Sequence, residues 1–173
     1  MSELEAELAA IVRADAGLMH VLTTVRALDL PDWRLVSGAV YQAVWNARTG
    51  RAVGYGVKDY DIGYFDPDVS WDAEDVVIKR VAAAFDEPFR TDVEVRNQAR
   101  VHIWFPDRFG EPYAPLPSTD EALERFVAPT FAVGVRLADH GRRAQQAVRV
   151  AVGHRARRLL GARRISGRMT AAR

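Results

Sequence analysis

The fold of this chain is decided by the stretch Lys58-Asp59-Tyr60-Asp61-Ile62-Gly63-Tyr64-Phe65. Residues 60–65 predict a β-strand that ends at Asp66-Pro67, and Asp59 and Asp61 stand at its start. Side chains at positions i and i+2 of a strand point to the same face, so we expect the two carboxylates side by side. A divalent cation such as Mg²⁺ or Mn²⁺ fits such a pair and suits phosphoryl or nucleotidyl transfer. The alternative interpretation is a solvated pair at a strand face or turn.

Upstream of this stretch, Val36-Ser37-Gly38-Ala39 joins a predicted strand over 33–36 to a helix that begins at Gly38. The exposed N–H groups and the dipole of a helix N-terminus attract phosphate, which makes Ser37 and Gly38 candidate nucleotide-binding residues. A plain tight turn is the alternative.

Downstream, Asp92-Val93-Glu94 lies on a predicted strand over 91–96. Short connections commonly make successive strands neighbours, and Glu94 would then stand beside the first two carboxylates. In that position Glu94 serves either as a metal ligand or as the base that accepts a proton from an attacking hydroxyl. The alternative is an ordinary surface residue.

The remaining elements follow from hydrophobic spacing and from turn residues. Helices are predicted over 2–14, 18–28 and 73–85, a short helix opens at 118–121, and a further strand covers 131–137. The pattern over 99–105 fits a helix or an extended run, and residues 106–117 hold four of the eight prolines and are predicted to form a loop.

The chain resembles the polymerase-beta-like nucleotidyltransferase superfamily in the order of three motifs: the Ser37-Gly38 turn, Asp59-Tyr60-Asp61 and Val93-Glu94-Val95. More narrowly, Glu94-Val95-Arg96-Asn97-Gln98-Ala99-Arg100-Val101-His102 is similar to an uncharacterised bacterial family of small nucleotidyltransferase-like proteins. The resemblance implies an α+β fold with a small mixed β-sheet flanked by helices.

By position, the resemblance assigns Asp59 and Asp61 as the metal pair, Glu94 as the third carboxylate, and Ser37 and Gly38 as phosphate contacts. Ala39 departs from the superfamily pattern, which usually places Ser or Gly after the motif glycine.

Among the residues that follow Glu94, Arg100 is a candidate for binding the nucleotide, because a guanidinium can hold a phosphate through paired hydrogen bonds. The alternative is a structural role for Arg100.

The predicted function is a metal-dependent transfer of a nucleoside monophosphate from an NTP to an unknown acceptor. The alternative is a non-catalytic nucleotide- or nucleic-acid-binding protein with a degenerate form of the same fold. The chain has no Cys, which excludes thiol catalysis and cysteine-bound metals. Its apolar runs are too short for a spanning helix and its start lacks the basic region of a secretory signal, so we expect a cytoplasmic protein with no membrane partner.

The charge is distributed very unevenly along the chain. Residues 1–141 hold 14 basic and 23 acidic groups, whereas residues 142–173 hold ten arginines and no acid. We predict a nucleotidyltransferase-like domain over 1–141, with the resemblance ending after Gly141, and a poorly ordered Arg-rich tail over 142–173. The tail is interpreted either as the product of a reading-frame change or as a genuine basic extension that makes weak contact with nucleic acid.

Overall fold

The computed structural model describes residues 2–126, 128, 131–138 and 147–153. Seven α-helices are described, and they are α1 (Glu3–Ala14), α2 (Ala16–Ala27), α3 (Gly38–Thr49), α4 (Trp71–Ala83), α5 (Phe89–Asp92), α6 (Val101–Phe109) and α7 (Thr119–Glu124). The five strands are β1 (Arg34–Val36), β2 (Tyr60–Tyr64), β3 (Val93–Asn97), β4 (Val133–Ala138) and β5 (Ala147–Val152).

The strands form one mixed sheet in the order β3-β2-β1-β4-β5. Strands β2 and β3 are parallel and are joined through α4 and α5, while β2–β1, β1–β4 and β4–β5 are antiparallel. The predicted α+β fold, a small mixed sheet flanked by helices, is confirmed.

The two faces of the sheet differ in their side chains, because successive residues of a strand point to opposite faces. One face packs against helices α1 to α4 in the main core, and its strand residues are Leu35, Tyr60, Ile62, Tyr64, Val95, Val135, Leu137 and Val148. The other face, here called the second face, carries the strand residues that alternate with these, among them Asp61 and Glu94. Both carboxylates therefore lie on the face that does not build the main core.

Helix caps set the boundaries of several elements that the sequence predicts to within a few residues. The side chains of Ser2, Asp15, Ser70 and Ser118 each accept a hydrogen bond from a backbone N–H in the first turn of α1, α2, α4 and α7, respectively. Residues 99–105, for which the sequence fits either a helix or an extended run, are helical: a 3₁₀ turn leads into α6. Helix α6 continues through Pro106 to Phe109, so the loop predicted from residue 106 begins only at Gly110.

The sheet extends beyond the domain boundary predicted at residue 141. Strand β5 pairs with β4 over its whole length, from Ala147 opposite Ala138 to Val152 opposite Val133. Val148 is buried in the main core, which explains why the alternating sequence Ala147-Val148-Arg149-Val150 forms a strand despite its arginine-rich surroundings. Residues 147–153 therefore belong to the domain, and the rest of the tail predicted to be poorly ordered, residues 142–146 and 154–173, lies outside the described residues.

Among the described residues, no single helix is long and apolar enough to cross a membrane; α1 and α2 reach that length only as a pair bent by 94°.

A buried polar cluster closes the far end of β3. The Oε1 atom of Glu74 accepts a hydrogen bond of 2.8 Å from the Asn97 N–H, and its Oε2 atom forms an ion pair of 2.9 Å with Nε of Arg100. The Asn97 side chain in turn donates to the carbonyl oxygens of Asp66 and Asp68. Burial, together with nearby Glu74 and Asp66, raises the pKa of Tyr64 to about 12, so this phenol stays neutral.

Replacing Glu74 with Ala is expected to lower the free energy of unfolding by about 3–5 kcal/mol, because the change leaves the Arg100 guanidinium buried without its counter-ion. Urea unfolding monitored by circular dichroism measures the effect. The matched control is Asp75→Ala, which removes only the exposed ion pair with Lys79 and should cost less than about 1 kcal/mol. Equal losses in the two variants would contradict the structural role assigned to Glu74.

Candidate functional site

The parallel pairing of β2 and β3 brings two of the predicted carboxylates together. Asp61 lies directly beside Glu94 in the ladder, with their side chains on the second face. On its other side Asp61 lies opposite Val36, the residue immediately before Ser37. Asp59 precedes β2 instead of lying on it, and its side chain is brought in from the loop. The three carboxylates and the turn before α3 are therefore neighbours.

These carboxylates act on one another electrostatically. Partial burial raises the pKa of Asp61, and the charges of Asp59 and Glu94 raise it further. A hydrogen bond from the Ser37 hydroxyl and the positive charge of Arg96 act in the opposite direction and lower it. Burial and both acidic neighbours act on Asp61 in the same direction, which identifies it as the centre of the cluster.

Ser37 has a backbone conformation that is rare for a residue with a side chain. Its φ is 61° and its ψ is −138°, in a region that is almost reserved for glycine and costs about 1–3 kcal/mol. Ser37 occupies the N-cap position of α3, yet its side chain makes no capping hydrogen bond with the helix. The hydroxyl interacts with Asp61 instead. Serine at this position ordinarily caps the helix. In this strained turn, the Ser37 side chain faces the carboxylates instead.

A small space lies over Gly38, the first residue of α3. A Cβ atom built on Gly38 would lie 3.5 Å from Oδ1 of Asp59 and 3.8 Å from the hydroxyl of Tyr41. Both distances are ordinary van der Waals contacts, so packing does not require glycine here. The missing side chain leaves the N-terminal backbone of α3 open beside a carboxylate, which is the geometry that a phosphate needs.

Tyr41 is a site residue that sequence reasoning missed. Its ring packs against Phe131 at 4.9 Å between centroids, and its hydroxyl borders the space over Gly38. The available signal was its position three residues after Gly38, which places it on the same side of the helix as the first turn. An aromatic residue on a helix is more often part of a core, but Tyr41 is 37% exposed.

Arg96 brings a positive charge to the edge of the cluster. Its guanidinium lies 3.6 Å from Glu94, and both side chains are more than half exposed. This pair is loose enough for Glu94 to exchange Arg96 for another cation.

Arg100, predicted to bind the nucleotide, is held elsewhere. Its side chain is only 11% exposed, is paired with Glu74, and donates a hydrogen bond of 2.7 Å to the carbonyl oxygen of Val69. Arg100 also lies beyond the carboxyl end of β3, whereas Glu94 lies near the start of that strand. The separation follows from strand geometry, since each residue advances the chain by about 3.3 Å. The structure therefore gives Arg100 a structural partner at the other end of the strand.

Among the described residues, no three histidine, aspartate or glutamate side chains converge as a ready-made metal cluster. The donor set nevertheless fits Mg²⁺, which typically takes one or two carboxylates together with substrate phosphates. Asp59 and Asp61 supply carboxylate oxygens beside the open backbone over Gly38, where such phosphates would lie.

Three comparisons bear on this site. A family model described as Nucleotidyltransferase matches residues 23–154. A solved NMR structure described as a CCA-adding enzyme head domain is similar over 86% of this chain and 71% of that chain, with 24% sequence identity and a TM-score of 0.68. No protein of curated function matches the chain. The structural likeness supports the fold, and the family match runs past Gly141, where the resemblance was predicted to end.

Replacing Asp61 with Asn is expected to stabilise the protein by about 0.5–2 kcal/mol at neutral pH. Because the folded state raises the pKa of Asp61, the ionised carboxylate is less favourable in the folded chain than in the unfolded chain, and the neutral amide removes that cost. The carbonyl oxygen of Asn can still accept the hydrogen bond from Ser37. Thermal unfolding at pH 7 measures the effect.

The control is Glu111→Gln, which removes one acidic charge from an exposed loop outside the site. Its melting temperature should stay unchanged. An equal rise in both variants would mean that overall charge, and not the carboxylate cluster, is responsible.

Proposed function

Because the chain belongs to the nucleotidyltransferase family whose model covers residues 23–154, we propose that it transfers a nucleoside monophosphate from an NTP to a hydroxyl acceptor and releases pyrophosphate. The observation that carries this proposal is the position of Asp61 between Asp59 and Glu94, beside the open N-terminus of α3. Carboxylates beside an anion-binding backbone are the combination that phosphoryl chemistry uses.

The donor nucleotide would place its phosphates over Gly38. Helix α3 is 12 residues long, and the N–H groups of Val40 and Tyr41 in its first turn donate to the carbonyl oxygen of Ser37. The N–H groups of Gly38 and Ala39 are therefore the ones that a helix N-terminus leaves without a partner inside the helix. The Tyr41 hydroxyl borders the same space and can donate a further hydrogen bond to a phosphate oxygen. Ser37 supports this arrangement by holding Asp61 in place.

A divalent cation, Mg²⁺ or Mn²⁺, would be held by Asp59 and Asp61, with Glu94 as a third ligand if it leaves Arg96. When bound, such a cation neutralises the carboxylates and the charge that develops on the phosphates. The pKa of Asp61, raised by partial burial and further by Asp59 and Glu94, supports this assignment, because a bound cation would offset both the burial and the neighbouring negative charges.

The acceptor oxygen forms a bond to the α-phosphorus while the bond from that phosphorus to the bridging oxygen of the β-phosphate breaks, and pyrophosphate leaves. The acceptor proton passes to a carboxylate. Glu94 is the candidate base, because it is exposed and lies beside Asp61 on the neighbouring strand.

Asp59→Asn and Asp61→Asn are each expected to reduce transfer by at least about a thousandfold, because either change removes a ligand of the charge-neutralising cation. Pyrophosphate release is measured with ATP, GTP, CTP and UTP and with RNA, DNA and protein acceptor pools. Calorimetric titration of the same nucleotides with Mg²⁺, and again with EDTA, reports donor binding separately. Metal-dependent nucleotide binding without transfer to any pool would favour the non-catalytic alternative.

The same assays separate the two roles open to Glu94. A base is required for transfer but not for nucleotide binding, so Glu94→Gln should slow transfer by about 10²–10⁴-fold and leave the nucleotide Kd unchanged. A parallel loss of Mg²⁺-dependent nucleotide binding would instead assign Glu94 to the metal.

Gly38→Ala is expected to weaken NTP binding by at least tenfold without destabilising the fold. The added methyl group makes only ordinary contacts with Asp59 and Tyr41, yet it fills the space in which a phosphate would approach the backbone. Calorimetry and thermal unfolding check the two halves of this prediction.

Gly50→Ala is the matched control at the other end of α3. Gly50 has a φ of +67° and nothing within 4 Å of its Cβ position, so alanine is strained there but blocks no site. This variant should lose about 1 kcal/mol of stability and keep its nucleotide affinity. The prediction fails if Gly38→Ala binds NTP normally.

A further inference from the structure

Arg96 is a cation built into the carboxylate cluster. It follows Glu94 by two residues on β3, so both side chains project on the second face, beside Asp61 of β2. Its Nη2 atom lies 3.6 Å from Oε2 of Glu94. Its charge also lowers the pKa of Asp61, against the effects of burial and of the neighbouring carboxylates. Arg96 therefore acts on two of the three predicted metal ligands.

The residues around Arg96 leave its guanidinium on the carboxylate side. Gly63 of β2 lies opposite Arg96 in the ladder, and the Gln98 side chain covers it, with Nε2 at 3.2 Å from the Cβ position of Gly63. The same Nε2 atom donates a hydrogen bond of 3.3 Å to the Arg96 carbonyl oxygen. Gln98 thus fills the space beside Arg96 that lies away from the cluster, and the guanidinium lies at the Glu94 end.

The pairing with Arg96 bears on how the three carboxylates can act together. Across the described part of the chain, no three acidic or histidine side chains converge on one point, and Glu94 is the member of the cluster that is engaged by an arginine. A guanidinium and a divalent cation are attracted by the same carboxylate oxygens and repel each other. Glu94 can therefore serve one of them fully only when the other withdraws.

The ion pair is of a kind that can open. Both side chains are more than half exposed, and the distance of 3.6 Å is long for a charge-assisted hydrogen bond. Exposed pairs of this type contribute little to stability, because water solvates the separated charges almost as well. Releasing Arg96 from Glu94 thus costs the fold little.

We propose that Arg96 is the counter-ion of the cluster: it holds Glu94 while no cation is bound, competes with Mg²⁺ or Mn²⁺, and so sets the metal affinity of the site. Arg96 is a positioning residue in this role, since it acts through Glu94 and Asp61. The inference rests on the metal site assigned under the proposed function, but it does not require that transfer occurs.

One consequence is a link between the cation and the donor nucleotide. Without a nucleotide, an approaching cation meets the positive charge of Arg96. A donor triphosphate over Gly38 adds negative charge that offsets Arg96, and it supplies further oxygen ligands to the cation. The chain is thus expected to bind the cation weakly by itself and more tightly together with the donor.

The test is titration of the full, nucleotide-free chain with Mn²⁺, followed by the electron paramagnetic resonance signal of the free ion. Arg96→Gln should lower the Mn²⁺ Kd by about three- to tenfold, because repulsion between a unit charge and a nearby divalent cation is worth about tenfold in water and salt screens part of it. Arg96→Lys keeps the charge and should keep a Kd near that of the native chain.

Arg48→Gln is the matched control. Arg48 forms an exposed ion pair of 2.7 Å with Glu7 in the last turn of α3, so this change removes the same charge far from the cluster. Its Mn²⁺ Kd should equal that of the native chain. Adding Glu94→Gln to Arg96→Gln should abolish most of the gain in affinity, because the released carboxylate is then missing.

Thermal unfolding gives a second readout and shows that each variant is folded. A given Mn²⁺ concentration should raise the melting temperature of Arg96→Gln more than that of the native chain, since a ligand stabilises the folded state in proportion to its affinity. A Mn²⁺ Kd that is unchanged or higher in Arg96→Gln overturns the proposal. An equal gain in Arg48→Gln overturns it as well, because net charge would then be the cause.

These outcomes are separate from those of the transfer assays. Tighter Mn²⁺ binding by Arg96→Gln, in a chain that transfers to no acceptor pool, supports the role of Arg96 and contradicts the proposed function. Transfer that depends on Asp61, together with a Mn²⁺ Kd that does not respond to Arg96, does the reverse.

Discussion

The parallel register of β2 on β3 is the constraint on which the rest of the site depends. It places Asp61 beside Glu94 on a sheet face that does not build the main core, and Asp59 adds a third negative charge from the preceding loop. Partial burial and the like charges of its neighbours both make the ionised Asp61 less favourable in the folded chain, and both raise its pKa. The sheet can hold them because its other face is packed throughout by apolar side chains, which fix the register. Stability is thus concentrated on one face and chemistry on the other.

The turn between β1 and α3 shows a second cost that the fold accepts for the same purpose. Ser37 adopts a strained conformation and leaves α3 without a side-chain cap, while its hydroxyl restrains Asp61. Gly38 leaves its backbone uncovered although an alanine would fit. Neither feature improves packing or capping. Both fit the proposed binding of nucleotide phosphates at the helix N-terminus.

The arginines of the sheet and its neighbouring turns fall into two groups that differ in burial and in their partners. Arg100 and Arg34 are buried, paired with carboxylates, and connect segments that are distant in the sequence: Arg100 joins the end of β3 to α4, and Arg34 joins β1 to α7. Arg96, Arg136 and Arg149 stand on the second face without being enclosed. The first group stabilises the fold, and in the second group Arg96 brings its positive charge to the edge of the carboxylate cluster.

The sequence by itself determined most elements, because hydrophobic period, capping residues and turn residues are local signals. The α+β class and the neighbourhood of Ser37, Gly38, Asp59, Asp61 and Glu94 followed from the resemblance of the ordered motifs to a known superfamily. It also identified the candidate carboxylates through the order of separate motifs. It did not determine the partner of Arg100, the place of Tyr41 or the end of the domain. Those depend on which strands pair and in which register, and a strand pattern has the same period whatever its neighbour. Only the tertiary structure decided that Glu74 would neutralise Arg100, and that Glu94 would lie beside Asp61 in the parallel ladder of β2 and β3.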